Sequence, residues 1–270
     1  MNDSAVPGSA LNRVSEVLGR IADLDALGAL SGAIQYTLPD ASLEKTVIAF
    51  DANVILRLSG HPRSDDIVDY LRTDFPGKLI LPGQVIQEFW NNQLSVVATK
   101  SAEIRKKFSE LSLLVKELDG RFDMFSGRFT DMLKEFNDEF GYVFDERTVG
   151  KTKLLIELLR EKAGVPFVPR TLLANTAHAR KRTKTPPGFK DELDGDFYVW
   201  ADLLLGLAEL GDDMPVVERV TLVTLDKKID WSRDGVPHPI LTAEIKAICG
   251  AAFEVIAIDS FAKRLVDKLS

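Results

Sequence analysis

The chain of 270 residues carries 34 Lys and Arg against 41 Asp and Glu, a net charge of −7 at pH 7, with 45% hydrophobic and 28% charged residues. These are globular proportions, which exclude a disordered, collagenous or low-complexity chain, and the length suits one or two domains, or one enlarged domain, with a full core. A single cysteine, Cys249, excludes a disulfide framework, and three scattered histidines, His61, His178 and His238, argue against a histidine-rich metal site, so any metal would sit on oxygen ligands, as magnesium or manganese does.

Met1 to Ser9 contains an acid and neither a basic nor an apolar region, so it does not read as a secretory signal. No run reaches the roughly 18 apolar residues of a membrane span. The expectation is a cytoplasmic protein. Leu11 to Leu30 has apolar residues at helical spacing and predicts one amphipathic helix within an N-terminal extension, residues 1–44. Thr46 to Asp51 predicts a buried strand ending in an acid, Ser64 to about Thr73 a helix, and Lys78 to Leu81 a second strand. Pro82-Gly83 opens a helix running from Gln84 to about Leu118, followed by helices to about Phe140 and from about Thr152 to Ala163. These form a charged helical insertion over about 95–164 in a domain spanning 45–270. Val165 to Lys190 reads as a proline-rich basic segment. Asp196 to Leu210 is a strongly apolar helix, Arg219 to Thr224 a third strand, Thr242 to Cys249 a helix, Phe253 to Ile258 a fourth strand, and Ser260 to Leu269 a closing helix. Strands alternating with helices imply a small parallel sheet covered on both faces.

Ligands of open parallel sheets bind beyond the carboxyl ends of the strands. Asp51 and Asp226 close two strands, Glu88 lies in the first turns of the helix after the second strand, and Asp196 opens the helix before the third. Taken singly, each acid is as well explained as a helix cap or a solvated side chain. Together they have topological reasons to meet at one edge. Clustered carboxylates repel one another, and divalent cations relieve that repulsion. Such a site suits phosphodiester cleavage, which needs no histidine or cysteine nucleophile.

Phe50-Asp51-Ala52-Asn53-Val54-Ile55-Leu56, Leu81 to Asn92 around Glu88, and Val223-Thr224-Leu225-Asp226-Lys227-Lys228 resemble three motifs of PIN-domain ribonucleases. Pro186-Pro187-Gly188-Phe189-Lys190-Asp191, then Gly195-Asp196 and Trp200, with Asp226-Lys227-Lys228 followed by Asp230-Trp231, resemble a PIN-like subgroup with a helical insertion and a PPG…GD…DKKxDW signature. Leu225 and Ser232 depart from that pattern, as does the short spacer Glu192-Leu193-Asp194. The resemblance implies a three-layer α/β/α fold and Mg²⁺- or Mn²⁺-dependent nuclease activity. By position, Asp51, Glu88, Asp196 and Asp226 would be catalytic metal ligands and Asp191 a further ligand. Asn53 and Thr224 would orient carboxylates or bound water.

Arg170, Arg180, Lys181, Arg182, Lys184 and Lys190 make the segment 165–190 basic with no acid, and four acids follow between Asp191 and Asp196. Beside a nuclease site this junction suits contacts to phosphate from Arg180, Arg182, Lys184, Lys190, Lys227 and Lys228. A solvated loop is the plainer reading of such a run. Trp90 and Trp200 are expected in the core, and Trp231 either stacks on a base or packs the Asp226 loop. The expected function is a metal-dependent endonuclease, RNA favoured over DNA. The alternative is a non-catalytic nucleic-acid-binding or interaction module on the same fold. A homo-oligomer or a regulatory protein partner is left open.

Overall fold

A computed structural model of the protein describes residues 7–35, 37–93, 106–107, 109–111, 113–115, 127–132, 134–135, 146–211, 216–225 and 228–269. Its centre is a parallel sheet of β1 (Thr46–Phe50), β2 (Lys78–Ile80), β3 (Ala163–Gly164), β4 (Arg219–Val223) and β7 (Ala252–Ile256), in the order β3-β2-β1-β4-β7. Every residue of β1 is buried, as befits the middle strand of a sheet covered on both faces. Its register with β4 runs from Thr46 opposite Arg219 to Phe50 opposite Val223. A short antiparallel pair, β5 (Ser232–Arg233) and β6 (Val236–Pro237), stands apart from the sheet.

One group of helices packs together as α3 (Ala52–Gly60), α4 (Ser64–Thr73), α6 (Glu146–Lys162) and α10 (Ile258–Leu269). The other comprises α1 (Pro7–Leu18), α2 (Ala26–Ile34), α8 (Gly195–Leu210) and α9 (Pro239–Cys249), with α5 (Gly83–Gln93) touching both α3 and α8. The architecture is α/β with a five-stranded parallel sheet flanked by helices, the layered arrangement expected of a PIN-like fold. Helix α8 is buried on nearly every side from Phe197 to Leu207, which explains its unbroken apolar sequence. Val14, Val17 and Leu18 of α1 are fully buried in the same core as β1 and β4.

Several elements differ from the sequence expectations. The single helix over Leu11 to Leu30 is two, because α1 ends at Leu18 and Asp25 caps α2 by accepting from the Gly28 amide at 2.9 Å. Helix α3 follows Asp51 directly and α7 (Arg170–Arg182) occupies the segment read as an irregular basic stretch. The sheet gains a fifth strand, β3, only two residues long. Of the predicted insertion, α6 and residues 106–107, 109–111, 113–115, 127–132 and 134–135 are helical, Ala163–Gly164 form β3, and the remainder lies outside the described residues. No described helix is long and apolar enough to cross a membrane.

Candidate active site at the carboxyl edge of the sheet

Strand order reverses direction between β1 and β4, and in open parallel sheets this is where a crevice opens at the carboxyl ends. Asp51 stands at that crevice because the chain leaves β1 and turns at once into α3. Its amide donates to Val223 O at 3.1 Å, the last rung of the sheet, and its carboxylate caps α3 by accepting from the Ala52 amide at 2.6 Å. From the neighbouring strand end, the buried Thr224 hydroxyl donates to the other carboxylate oxygen of Asp51 at 2.8 Å. Asp51 is thus held from its own helix and from the residue that follows β4. Asn53 is exposed on the first turn of α3.

Glu88 reaches the same edge from α5. The Gln84 side-chain amide, one helical turn earlier, donates to it at 3.1 Å. Burial raises its pKa; the Gln84 hydrogen bond opposes this, the Asp51 charge adds to it, Lys228 opposes it and Asp191 adds to it. Glu88 therefore lies in the combined field of Asp51, Asp191 and Lys228. Gly195 permits the approach of α8: a Cβ there would lie 2.5 Å from Glu88 Oε1.

Asp196, in the first turn of α8, accepts from Lys228 Nζ at 3.1 Å and from Trp231 Nε1 at 3.1 Å. Asp191 binds the same lysine through both oxygens, at 2.8 and 2.9 Å. The two aspartates share a hydrogen bond. Burial, then that bond, lifts the Asp196 pKa to about 7, even though Lys228 pulls the other way. Asp191 moves down: burial alone would raise it, but the bond from Asp196 and the ion pair with Lys228 prevail. Burial and the neighbouring carboxylate thus both disfavour the ionised form of Asp196, and Lys228 offsets them only in part.

The loop before α8 is fixed from below. Asp230 is fully buried and accepts the Gly188 amide at 2.9 Å. Gly188, at φ +79°, lies so close to α8 that a Cβ would come within 2.9 Å of Asp196 Cβ, so this turn requires glycine. Trp231 is buried, donates to Asp196 and meets Trp200 edge-on at 6.0 Å; it packs the site rather than stacking on a base. Trp200 is buried as expected, but Trp90 is 55% exposed and corrects the expectation that it sits in the core.

The described structure thus brings together Asp51, Glu88, Asp191, Asp196, Thr224 and Lys228. Asp226 and Lys227 lie outside the described residues. Arg180 corrects the sequence reading: it is buried and bound to Glu244 at 2.8 and 3.2 Å and to the Pro186 carbonyl, so its guanidinium holds the fold together and does not face a substrate. Arg182, Lys184 and Lys190 are exposed. Lys228 engages the acids themselves. Sequence reasoning missed Gln84 as a partner of Glu88, although its spacing of one turn was a readable signal, and it missed Gly195 as the contact between α5 and α8.

The donor set is chemically suited to a hard divalent cation, being all oxygen, and burial is the main cause that raises the pKa values of Glu88 and Asp196. Among the described residues alone, no group of three or more His, Cys, Asp or Glu is arranged to hold such an ion.

A family model for a PIN-like domain matches residues 47–146. The match takes in β1, β2 and α5, and with them Asp51 and Glu88, and leaves the Asp191–Asp196 and Thr224–Lys228 segments beyond it. Comparison with curated proteins gives no match, and neither does comparison with solved structures. The matched segment is similar to a PIN-like domain, and the parallel sheet with its flanking helices is consistent with a PIN-like fold.

Proposed function

We propose that the protein is a metal-dependent endonuclease of the PIN-like subgroup with the PPG…GD…DKKxDW signature, hydrolysing phosphodiester bonds in RNA. The observation that carries this reading is the acid cluster at the switch point of the sheet, where Asp191 and Asp196 converge on the Lys228 ammonium and Glu88 lies in the field of Asp51 and Asp191. The PIN-like match over residues 47–146 points to the same class of activity.

In this reading Asp51, Glu88, Asp196 and Asp226 would hold Mg²⁺ or Mn²⁺, with Asp191 beside them. Such an ion, when bound, lowers the pKa of a water and stabilises the leaving oxygen. The chain's own contributions are separable. Thr224 and the Ala52 amide fix the orientation of the Asp51 carboxylate. Gln84 fixes Glu88, and Trp231 fixes Asp196. Lys227 and the exposed Arg182, Lys184 and Lys190 would supply positive charge for the phosphates of a strand, while Lys228 is committed to Asp191 and Asp196. The test is incubation of the purified protein with labelled single-stranded RNA, structured RNA and single-stranded DNA, with and without Mn²⁺. Cleavage of RNA that requires the ion supports the reading, and intact substrates in every arm remove it.

One observation favours a second reading. Lys228 Nζ lies 2.8 Å from Asp191 and 3.1 Å from Asp196, where an ammonium can stand in for a metal ion. A non-catalytic nucleic-acid-binding module would keep that lysine as a permanent pin. Binding of RNA without cleavage in the same experiment would select it.

A further inference from the structure

On the side of the molecule formed by the N-terminal segment lies a cavity of about 540 Å³, lined by Arg20, Thr183, Lys184, Thr185, Pro186 and His238, among others. Its walls come from the end of α1, the end of α7 and the start of α9. Every titratable side chain lining it is basic, and among the described residues no acid does so.

Behind this wall the fully buried Glu244 receives Arg180 at 2.8 Å and Arg20 at 3.1 Å, so one carboxylate serves two guanidiniums, and the buried Asp230 acts on His238 from the same side. Lys184 adds a positive charge at the rim, where it is exposed. Arg20 and Lys184 both adopt left-handed backbone, at φ 60° and 53°, and both carry a long cation at a helix end where glycine or asparagine is usual. His238 Nδ1 accepts the Ile240 amide at 3.2 Å, which leaves Nε2 as the nitrogen that can donate. The Thr185 hydroxyl lies beside them, 2.9 Å from that of Thr183, which itself donates to the Ala179 and Arg180 carbonyls. Cationic and hydroxyl donors around an acid-free cavity are the chemistry of phosphate recognition.

The cavity is joined to the acid cluster by a short piece of chain. Pro186 lines it, and Gly188, two residues on, touches Asp196.

We propose that this cavity binds a phosphate group of the nucleic-acid strand, near the linkage that is cut, through Arg20 and Lys184. The proposal rests on the nuclease reading above. It gives the N-terminal segment a part in substrate binding and assigns Lys184, among the exposed basic residues of the segment 165–190, a defined partner.

The test is fluorescence anisotropy with a 5′-labelled single-stranded RNA on the full chain carrying Asp51→Asn to prevent cleavage, compared with the same chain carrying Arg20→Asn and Lys184→Asn. Asparagine tolerates both positive-φ positions, and Glu244 keeps Arg180 and the Trp200 indole at 2.7 Å. Loss of two charged donors weakens binding about tenfold or more. It also flattens the salt dependence by about 0.7 in log–log slope. Equal affinity and equal slope in the two proteins overturn the proposal and leave the nuclease reading standing. Failure of the parent protein to bind any strand overturns both. Inorganic phosphate is the second arm. Phosphate binding that the two substitutions abolish, with strand affinity unchanged, would assign the cavity to a free anion and overturn the strand assignment. If the double variant melts early, Lys184→Asn alone, which leaves the Arg20–Glu244 pair intact, must still weaken strand binding for the proposal to hold.

Discussion

Asp196 and Asp202 lie on the same helix, under two turns apart, and have opposite surroundings. Asp202 is fully buried and saturated: it accepts the amides of Gln84 and Val168, each at 2.8 Å, and a two-pronged contact from Arg170 at 2.7 and 2.9 Å. It ties the start of α5 and the segment before α7 to α8. Asp196, nearer solvent, faces another carboxylate and one lysine shared between the two. The first acid is a structural fastening whose charge is met by dedicated donors. The second is held in a state that further positive charge would relieve. What separates the site acid from the scaffold acid here is the donors: Asp202 has its own, and Asp196 shares its lysine with Asp191.

Removing the structural acid has the largest expected effect. Asp202→Ala orphans two buried amides and the Arg170 guanidinium and costs on the order of 3–5 kcal/mol, measurable by urea unfolding. A loss under about 1 kcal/mol would erase the contrast.

The next effect belongs to the other acid. At pH 8, Mn²⁺ at about one hundred times its dissociation constant adds about 2.7 kcal/mol, equivalent to a rise of roughly 5–10 °C in melting temperature for a chain of this size. Asp196→Asn should remove most of that rise. An undiminished rise would place the ion elsewhere.

Without metal, pH should sharpen the same point. Asp196 has a folded pKa of about 7 against an ordinary value of 3.8, so between about pH 4 and 7 the folded state binds more protons than the unfolded. Stability attributable to this group rises as pH falls through that window, and the penalty of ionisation is complete above it. Melting of the metal-free protein at pH 8 and pH 6 should show the higher midpoint at pH 6, with the difference reduced in Asp196→Asn. An equal difference in the variant would detach the titration from this residue.

The smallest effect on stability is expected at Gly195. A methyl group there meets Glu88 Oε1 at 2.5 Å and must displace a flexible carboxylate, with a change in stability under about 1 kcal/mol. Catalytic rate should fall while the unfolding midpoint stays nearly constant. An unchanged rate would remove Glu88 from the chemistry.

The strands were the most legible part of the chain. Thr46 to Phe50 and Arg219 to Val223 are short β-rich runs, and both form central strands as expected. What escaped was structure without a composition of its own. Helix α3 begins at Ala52 with Asn53-Val54-Ile55, whose β-branched pair gives no helical signal; Asp51 as the cap decides it. Helix α7 was hidden by its charges, although Leu173, Ala177 and Arg180 recur at helical spacing and are its buried face. Strand β3, at two residues, leaves no pattern to read. In the site, the strand-end acid Asp51 was readable because topology alone brings it to the edge. The commitment of Arg180 to Glu244 was not, because the partners are 64 residues apart, on α7 and α9, and only the folded chain brings them together.

The most direct measurement is Mn²⁺-dependent cleavage of labelled single-stranded RNA by the unaltered protein beside Asp51→Asn and Asp196→Asn, each checked for a native melting transition. Cleavage by the unaltered protein and loss of at least about a hundredfold in both variants is the predicted result. Folded variants that cut RNA at the original rate would contradict the assignment of this carboxylate cluster to catalysis.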